Sequence, residues 1–145
     1  MLRKTTGAIF QFNKIALLAT LALFCGEIII ALFIHDNIVR PYVGDALVAV
    51  LIYCFLRSFL RIRPLTLAII ALLFCYTVEV LQFLNIVNII GLGESRFARI
   101  LIGTSFSWMD ILAYTIGVGA AFSVDYSIMR NSVRRFSPRR AVNEK

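Results

Sequence analysis

Long apolar stretches alternate with short polar ones along this chain of 145 residues. Four of the apolar stretches approach the length of roughly 20 residues that a helix needs to cross the hydrocarbon core of a bilayer. The pattern predicts an all-α integral membrane protein, a four-helix bundle with spans over about residues 15–34, 42–60, 65–83 and 108–128. A single transmembrane domain would occupy residues 1–129, followed by a basic cytoplasmic tail over residues 130–145.

The longest predicted connection, residues 84–107, carries a helical pattern of its own. Its run SRFARILIG places apolar residues on one helical face and two arginines, Arg96 and Arg99, on another. This spacing predicts a short amphipathic helix that lies at the membrane interface between the third and fourth spans. The apolar residues over 84–93 leave two alternatives open, an extension of the third span or a re-entrant segment.

The composition agrees with a membrane protein, since 60% of the residues are hydrophobic, whereas soluble domains have about 45–50%. A net charge of +7 would suit nucleic-acid binding, but the basic residues lie between and after the apolar stretches. That placement is typical of membrane topology, so we expect no nucleic-acid partner. The three cysteines lie in apolar stretches without the spacing of a metal site or disulfide framework, and we expect no cofactor.

The basic residues also predict how the spans are oriented. If both termini are cytoplasmic, 12 of the 15 Lys and Arg residues lie inside and three lie outside. The positive-inside rule therefore favours an N-in, C-in protein. The first apolar stretch follows basic residues as in a signal peptide, but no small-residue cleavage site follows it, so we expect an uncleaved first span.

The acidic residues are distributed unevenly in this topology. Six of the eight fall on the outer side, together with only three cations: Arg40, Arg96 and Arg99. Glu27 and Glu79 lie deepest, and a carboxylate within a span needs a partner or a proton because its insertion is unfavourable by about 3 kcal/mol. The nearest cations in sequence for Glu79 are Arg96 and Arg99.

Helical spacing brings further polar side chains onto the same faces. Glu79 and Gln82 are three residues apart in the third span, and Asp110 and Tyr114 are four apart in the fourth. We therefore expect a polar pocket at the outer membrane face. The predicted ligand-binding residues are Glu79, Gln82, Arg96, Arg99, Asp110 and Tyr114, supported by Glu27, Arg40, Asp45 and Gly117.

Structural roles are the alternative for several of these residues. Ser107 and Asp110, in the run SWMD, have the spacing of a capping box at a helix start. Asp45 falls in the first turns of a helix, where the helix dipole favours an anion. Glu27 and Glu79 could simply hold neighbouring helices together through a paired carboxylate.

Small residues recur every fourth position in the fourth span, at Ala113, Gly117 and Ala121. This spacing lets a neighbouring helix approach closely. We expect that neighbour to be the third span, its antiparallel partner.

Two runs of the chain, ALFIHDNIVRPYVGDALVAVLIYCFLRSFL and YTVEVLQFLN…SRFARILIGTSFSWMDILAYTIG, resemble a bacterial membrane family catalogued as domain of unknown function 2809. The resemblance covers about residues 33–117 and is most specific in RPYVGD and FSWMDILAY. It supplies no reaction. It implies a multi-pass protein of the bacterial cytoplasmic (inner) membrane.

The second half is also similar, more weakly, to the VanZ-like family associated with teicoplanin resistance. That family's pattern reads Glu-x-x-Gln, then Arg, then Asp-x-x-x-Asn-x-x-Gly. The matching positions are Glu79, Gln82, Asp110 and Gly117, with Arg96 or Arg99 for the arginine. Tyr114 departs from the pattern, because it stands where the family has Asn.

The function that we favour is the binding or handling of a cell-envelope molecule, an anionic lipid or glycolipid headgroup, in the outer polar pocket. Arg96 and Arg99 would hold phosphate or carboxylate, and the acidic side chains would accept hydrogen bonds from sugar hydroxyls. The main alternative is a structural or accessory membrane subunit. An intramembrane enzyme acting on a lipid-linked substrate is less favoured, since no Ser/His/Asp set is evident. A small proton-coupled transporter would need to form a homo-oligomer, and Glu27 and Glu79 would carry its protons.

Overall fold

The computed structural model of the protein describes residues 9–33, 39–91, 94 and 106–136. Within these ranges the regular structure is helical, apart from one isolated β-bridge between Phe10 and Leu60, which confirms the all-α class. The helices of the described ranges are α1 Lys14–Phe33, α2 Val39–Phe59, α3 Pro64–Phe83, α4 Ile86–Ile89 and α5 Trp108–Phe136.

Three of the described helices are long and apolar enough to cross a membrane, over Tyr42–Phe59, Pro64–Phe83 and Trp108–Ser132. They correspond to the second, third and fourth predicted spans and support a membrane protein. Helix α1 has 20 residues, the length of a span. Its passage through the membrane and the N-in, C-in orientation stay predictions.

Helix α2 lies at the centre of the helical arrangement. It contacts α1, α3 and α5, and α5 also contacts α3. Among the described residues, α1 packs against α2 alone. The core is formed by α2, α3 and α5, with buried side chains that include Ala49, Tyr53, Leu67, Ala71, Tyr114 and Val118. Helix α1 lies on the outside of this three-helix core. A bundle in which four helices share one core therefore stays a prediction.

The start of α1 is fixed by capping and by the segment that precedes it. Asn13 Oδ1 accepts hydrogen bonds from two N–H groups in the first turn of the helix, at 3.1 and 3.2 Å, as an N-cap residue does. The N–H of Gln11 donates to the carbonyl of Phe59 at 2.9 Å, and the N–H of Arg61 donates to that of Ile9 at 2.8 Å. The segment before α1 and the α2–α3 connection therefore lie at the same end of the helices.

The chain breaks its helical course directly after α3. Helix α3 begins with Pro64, whose fixed φ suits a first helical position. Beyond its end, Asn85 has a left-handed φ of 51°, a conformation that Asn tolerates better than most residues. Helix α4 is one short turn, so residues 84–91 do not extend the third span. The amphipathic helix predicted from the run SRFARILIG lies outside the described residues.

Helix α5 is longer than the predicted fourth span. It runs to Phe136, whereas the span was expected to end near residue 128. The sequence has neither Gly nor Pro between Ala120 and the residue before Pro138, and proline disfavours helix at the position before it. The predicted boundary at residue 129 therefore falls inside one continuous helix.

Helices α2 and α5 approach closely where Gly117 faces Ala46. A methyl group on Gly117 would collide with the Ala46 carbonyl, so the two backbones touch directly. Ala113 is buried one turn earlier on α5. The small-residue spacing does mark a close approach, but the expectation that the third span is the neighbour is wrong at Gly117, because α2 occupies that face.

Replacing Gly117 with Ala should lower the free energy of unfolding by about 1–3 kcal/mol, because the added methyl group overpacks the α2–α5 contact. Thermal unfolding of the detergent-purified protein measures the effect. Gly119→Ala is the matched control, since nothing lies within 4 Å of a Cβ at that position. Equal melting temperatures for the two variants would contradict the close approach.

Candidate functional site

Glu79 is a fully buried acidic residue on α3, with 0% of its surface exposed. Both oxygens of its carboxylate accept hydrogen bonds, one from α5 and one from the residue directly before it. The Tyr114 hydroxyl donates to Oε1 at 3.1 Å, and the backbone N–H of Ser107, which precedes α5, donates to Oε2 at 3.4 Å. These donors satisfy the carboxylate in surroundings where an unpaired one would be unfavourable.

The start of α5 departs from the predicted capping box. Ser107 Oγ accepts a hydrogen bond from the N–H of Met109 at 3.2 Å, as expected of an N-cap. In a capping box, the acidic residue three positions later binds the N–H of the cap residue. Here Glu79 receives the N–H of Ser107, and the Asp110 carboxyl group lies close to that of Asp45 on α2 instead. The N-cap role of Ser107 is therefore confirmed, whereas the predicted hydrogen bond from its N–H to the Asp110 side chain is wrong.

Four acidic side chains, which we call the carboxylate cluster, gather at this end of the helices: Glu27, Asp45, Glu79 and Asp110. Each comes from a different long helix, and Asp45 interacts electrostatically with the other three. Asp110 also lies in the first turn of α5, where the helix dipole favours negative charge.

Glu27 has an unsatisfied atom within this cluster. Its Oε1 is buried and has no hydrogen-bond partner among the described residues. Its Oε2 lies against α2, at 3.7 Å from the position of a Cβ on Gly44. Buried acceptors nearly always have a hydrogen-bond donor. Glu27 Oε1 can therefore accept a hydrogen bond from a group outside the described residues.

The structure brings together five of the predicted site residues: Glu27, Asp45, Glu79, Asp110 and Tyr114. Gln82 is half-buried, one helical turn beyond Glu79, and Gly117 serves the α2–α5 contact. Arg96, Arg99 and the side chain of Arg40 lie outside what the structure describes, so their pairing with the acids stays a prediction. In the described ranges, no three His, Cys, Asp or Glu side chains are arranged to hold a metal ion.

Three aromatic rings lie beside the cluster, at the end of α3 and the start of α5. The ring of Phe106 is 5.6 Å from that of Phe83 and 5.1 Å from that of Trp108, between centroids. Trp108 is 77% exposed, as suits an anchor at the membrane–water interface. This end of the helices therefore has the chemistry of an interface as well as an acidic interior.

A second polar group, which the sequence reasoning missed, lies at the opposite end of the helices. Arg57 Nε is 3.2 Å from Asp125 Oδ2, and the Tyr53 hydroxyl donates to the same oxygen at 2.8 Å. Arg57 also donates to the carbonyl of Ile62 at 2.9 Å. The signal was available, since Tyr53 and Arg57 are four residues apart and the predicted topology places Asp125 on the same side of the membrane. Opposite charges within spans tend to pair.

A family model described as "Protein of unknown function (DUF2809)" matches residues 34–118. The match covers more than half of the chain, so the protein belongs to this family, as the sequence resemblance predicted. The matched range includes Asp45, Glu79, Asp110 and Tyr114, whereas Glu27 on α1 precedes it. No solved structure matches the chain. The weaker VanZ-like resemblance stays a prediction.

Replacing Tyr114 with Phe should lower the free energy of unfolding by about 1–3 kcal/mol, because the buried Glu79 Oε1 loses its donor. Thermal unfolding in detergent measures the loss, and Tyr126→Phe on the exposed part of α5 is the control. The loss should shrink in a Glu79→Gln background, where the neutral amide depends less on that donor. Equal losses in both backgrounds would contradict the Tyr114–Glu79 bond.

Proposed function

We propose that this protein binds the polar headgroup of a cell-envelope molecule at the carboxylate cluster. The observation that carries the proposal is Glu27 Oε1, which is buried and lacks a donor among the described residues. A ligand with hydroxyl groups would donate to this atom. The chemistry of the cluster therefore favours a sugar-bearing headgroup, that of a glycolipid.

The charge of the cluster supports a donor-bearing ligand over a bare anion. Within the described residues, no Lys or Arg forms an ion pair with any of its four acids. Like charges close together disfavour further negative charge. In our proposal, Arg40, Arg96 and Arg99 hold any phosphate or carboxylate of the headgroup through charge-assisted hydrogen bonds. The carboxylates of the cluster accept hydrogen bonds from the hydroxyl groups of the same headgroup.

The position of the cluster along the helices supports the same ligand. Glu79 lies in the last turns of α3, and Asp110 lies in the first turn of α5. Polar groups near the ends of membrane-spanning helices lie at the depth of lipid headgroups. A lipid in the bilayer would therefore present its headgroup, and not its hydrocarbon, to these carboxylates.

Native mass spectrometry of the protein purified with its membrane lipids tests this function. Glu27→Gln and Glu79→Gln should each lower the occupancy of a bound glycolipid by about tenfold, since each removes a charged acceptor. Glu94→Gln, the same change at an exposed position, should leave the occupancy unchanged. If the two cluster variants melt at lower temperature but retain the same lipids as the wild type, the structural or accessory role is favoured instead.

A second candidate function, proton-coupled transport, is favoured by one observation, the closeness of the Asp45 and Asp110 carboxyl groups within the carboxylate cluster. Neighbouring carboxyl groups within a membrane can take up and release a proton as a transported molecule passes. Proton flux into liposomes containing the purified protein tests this candidate. It requires a flux that Asp45→Asn abolishes while the protein stays folded, and an absence of flux in the wild type would reject it.

A further inference from the structure

An open groove separates α1 from α5 at the end of the helices opposite the carboxylate cluster. Among the described residues, α1 and α5 do not contact each other, and α2 forms the floor between them. The groove has a volume of about 670 Å³. We call it the apolar groove, since most of its lining is apolar, including Ile15, Ala19, Val50, Ala120, Val124 and Ile128.

A second cavity, of about 420 Å³, adjoins the apolar groove at the ends of the helices. The two share the lining residues Asn13, Ile15 and Arg57. We call this cavity the basic recess, because Lys14 and Arg61 line it together with Arg57. The hydrogen bonds between the segment before α1 and the α2–α3 connection bring these cations together.

The basic recess keeps uncompensated positive charge. Arg57 is paired with Asp125 at 3.2 Å, so its charge is largely balanced. Lys14 and Arg61 are exposed, and neither forms an ion pair with an acid in the described part of the chain. The basic recess at the helix ends is thus continuous with the apolar groove, which opens toward the surroundings of the helices.

We propose that the basic recess and the apolar groove together bind one anionic phospholipid, with its phosphate in the recess and an acyl chain in the groove. The charge of Lys14 and Arg61 complements the phosphate, and the apolar walls match hydrocarbon. The positions of the two cavities match the two parts of a lipid. The basic recess lies at the helix ends, where the headgroup would bind, and the apolar groove lies along the helices, where the acyl chain would bind. This site is separate from the carboxylate cluster and does not depend on the function proposed there.

Titration of the detergent-purified full-length protein with phosphatidylglycerol, followed by native mass spectrometry, tests the proposal. One lipid should bind to saturation. Lys14→Gln combined with Arg61→Gln should weaken binding by about tenfold, and phosphatidylcholine should bind the wild type about tenfold more weakly, because both changes remove charge attraction. Equal affinities for the two lipids would overturn the assignment of the recess.

Filling the apolar groove tests the acyl-chain half of the site. Ala120 is exposed and lines the groove, so Ala120→Phe places a ring inside it without displacing core residues. This variant should bind phosphatidylglycerol about tenfold more weakly, because the ring takes up volume that the acyl chain would fill. Ala22→Phe, at an exposed alanine outside the groove lining, should bind as the wild type does.

Two results would overturn this half of the proposal. The first is unchanged phosphatidylglycerol affinity in Ala120→Phe. The second is a wild-type dimer that Ala120→Phe converts to a monomer, because a second copy of the chain would then fill the groove. Circular dichroism of both Phe variants shows that the helices are retained.

Discussion

A fully buried carboxylate in an apolar helix sets the position of α5 against α3. Glu79 needs hydrogen-bond donors because a membrane-type interior offers no water. The side chain of Tyr114 and the N–H of Ser107 provide them, which fixes both the register of α5 and its starting point. Since Glu79 takes the N–H that a capping box would give to Asp110, the latter is left to meet Asp45 on α2. One buried charge thus connects three helices.

The long helices themselves could be predicted closely from the sequence, because the length of an apolar stretch is a direct consequence of bilayer thickness. Helical spacing also placed Asp110 and Tyr114 on one face correctly. It did not reveal that Gly117 meets α2, since spacing identifies a face and not the neighbour that covers it. The hydrogen bond from Ser107 to Glu79 could not be predicted either. Its donor is a backbone N–H, which every residue except proline has. The end of α5 was missed because hydropathy marks the end of an apolar stretch, whereas a helix can continue through polar residues.

The two ends of the helices have opposite chemistry. At one end, the carboxylate cluster offers hydrogen-bond acceptors, of which Glu27 Oε1 has no donor among the described residues, and aromatic rings lie beside it. At the other end, Lys14 and Arg61 leave positive charge next to an apolar groove, and the Arg57–Asp125 pair joins α2 to α5. An asymmetric distribution of cations is what the positive-inside rule expects of a membrane protein. This opposite chemistry at the two ends is the reason why we propose ligands with different headgroups for the two sites.

A high-resolution structure of the protein purified with its native lipids tests whether the carboxylate cluster accepts a hydrogen bond from a bound headgroup. We expect non-protein density at hydrogen-bond distance, about 2.7–3.2 Å, from Glu27 Oε1. A protein donor on that atom, from Arg40, Arg96 or Arg99, with no further density beside the cluster, would contradict it.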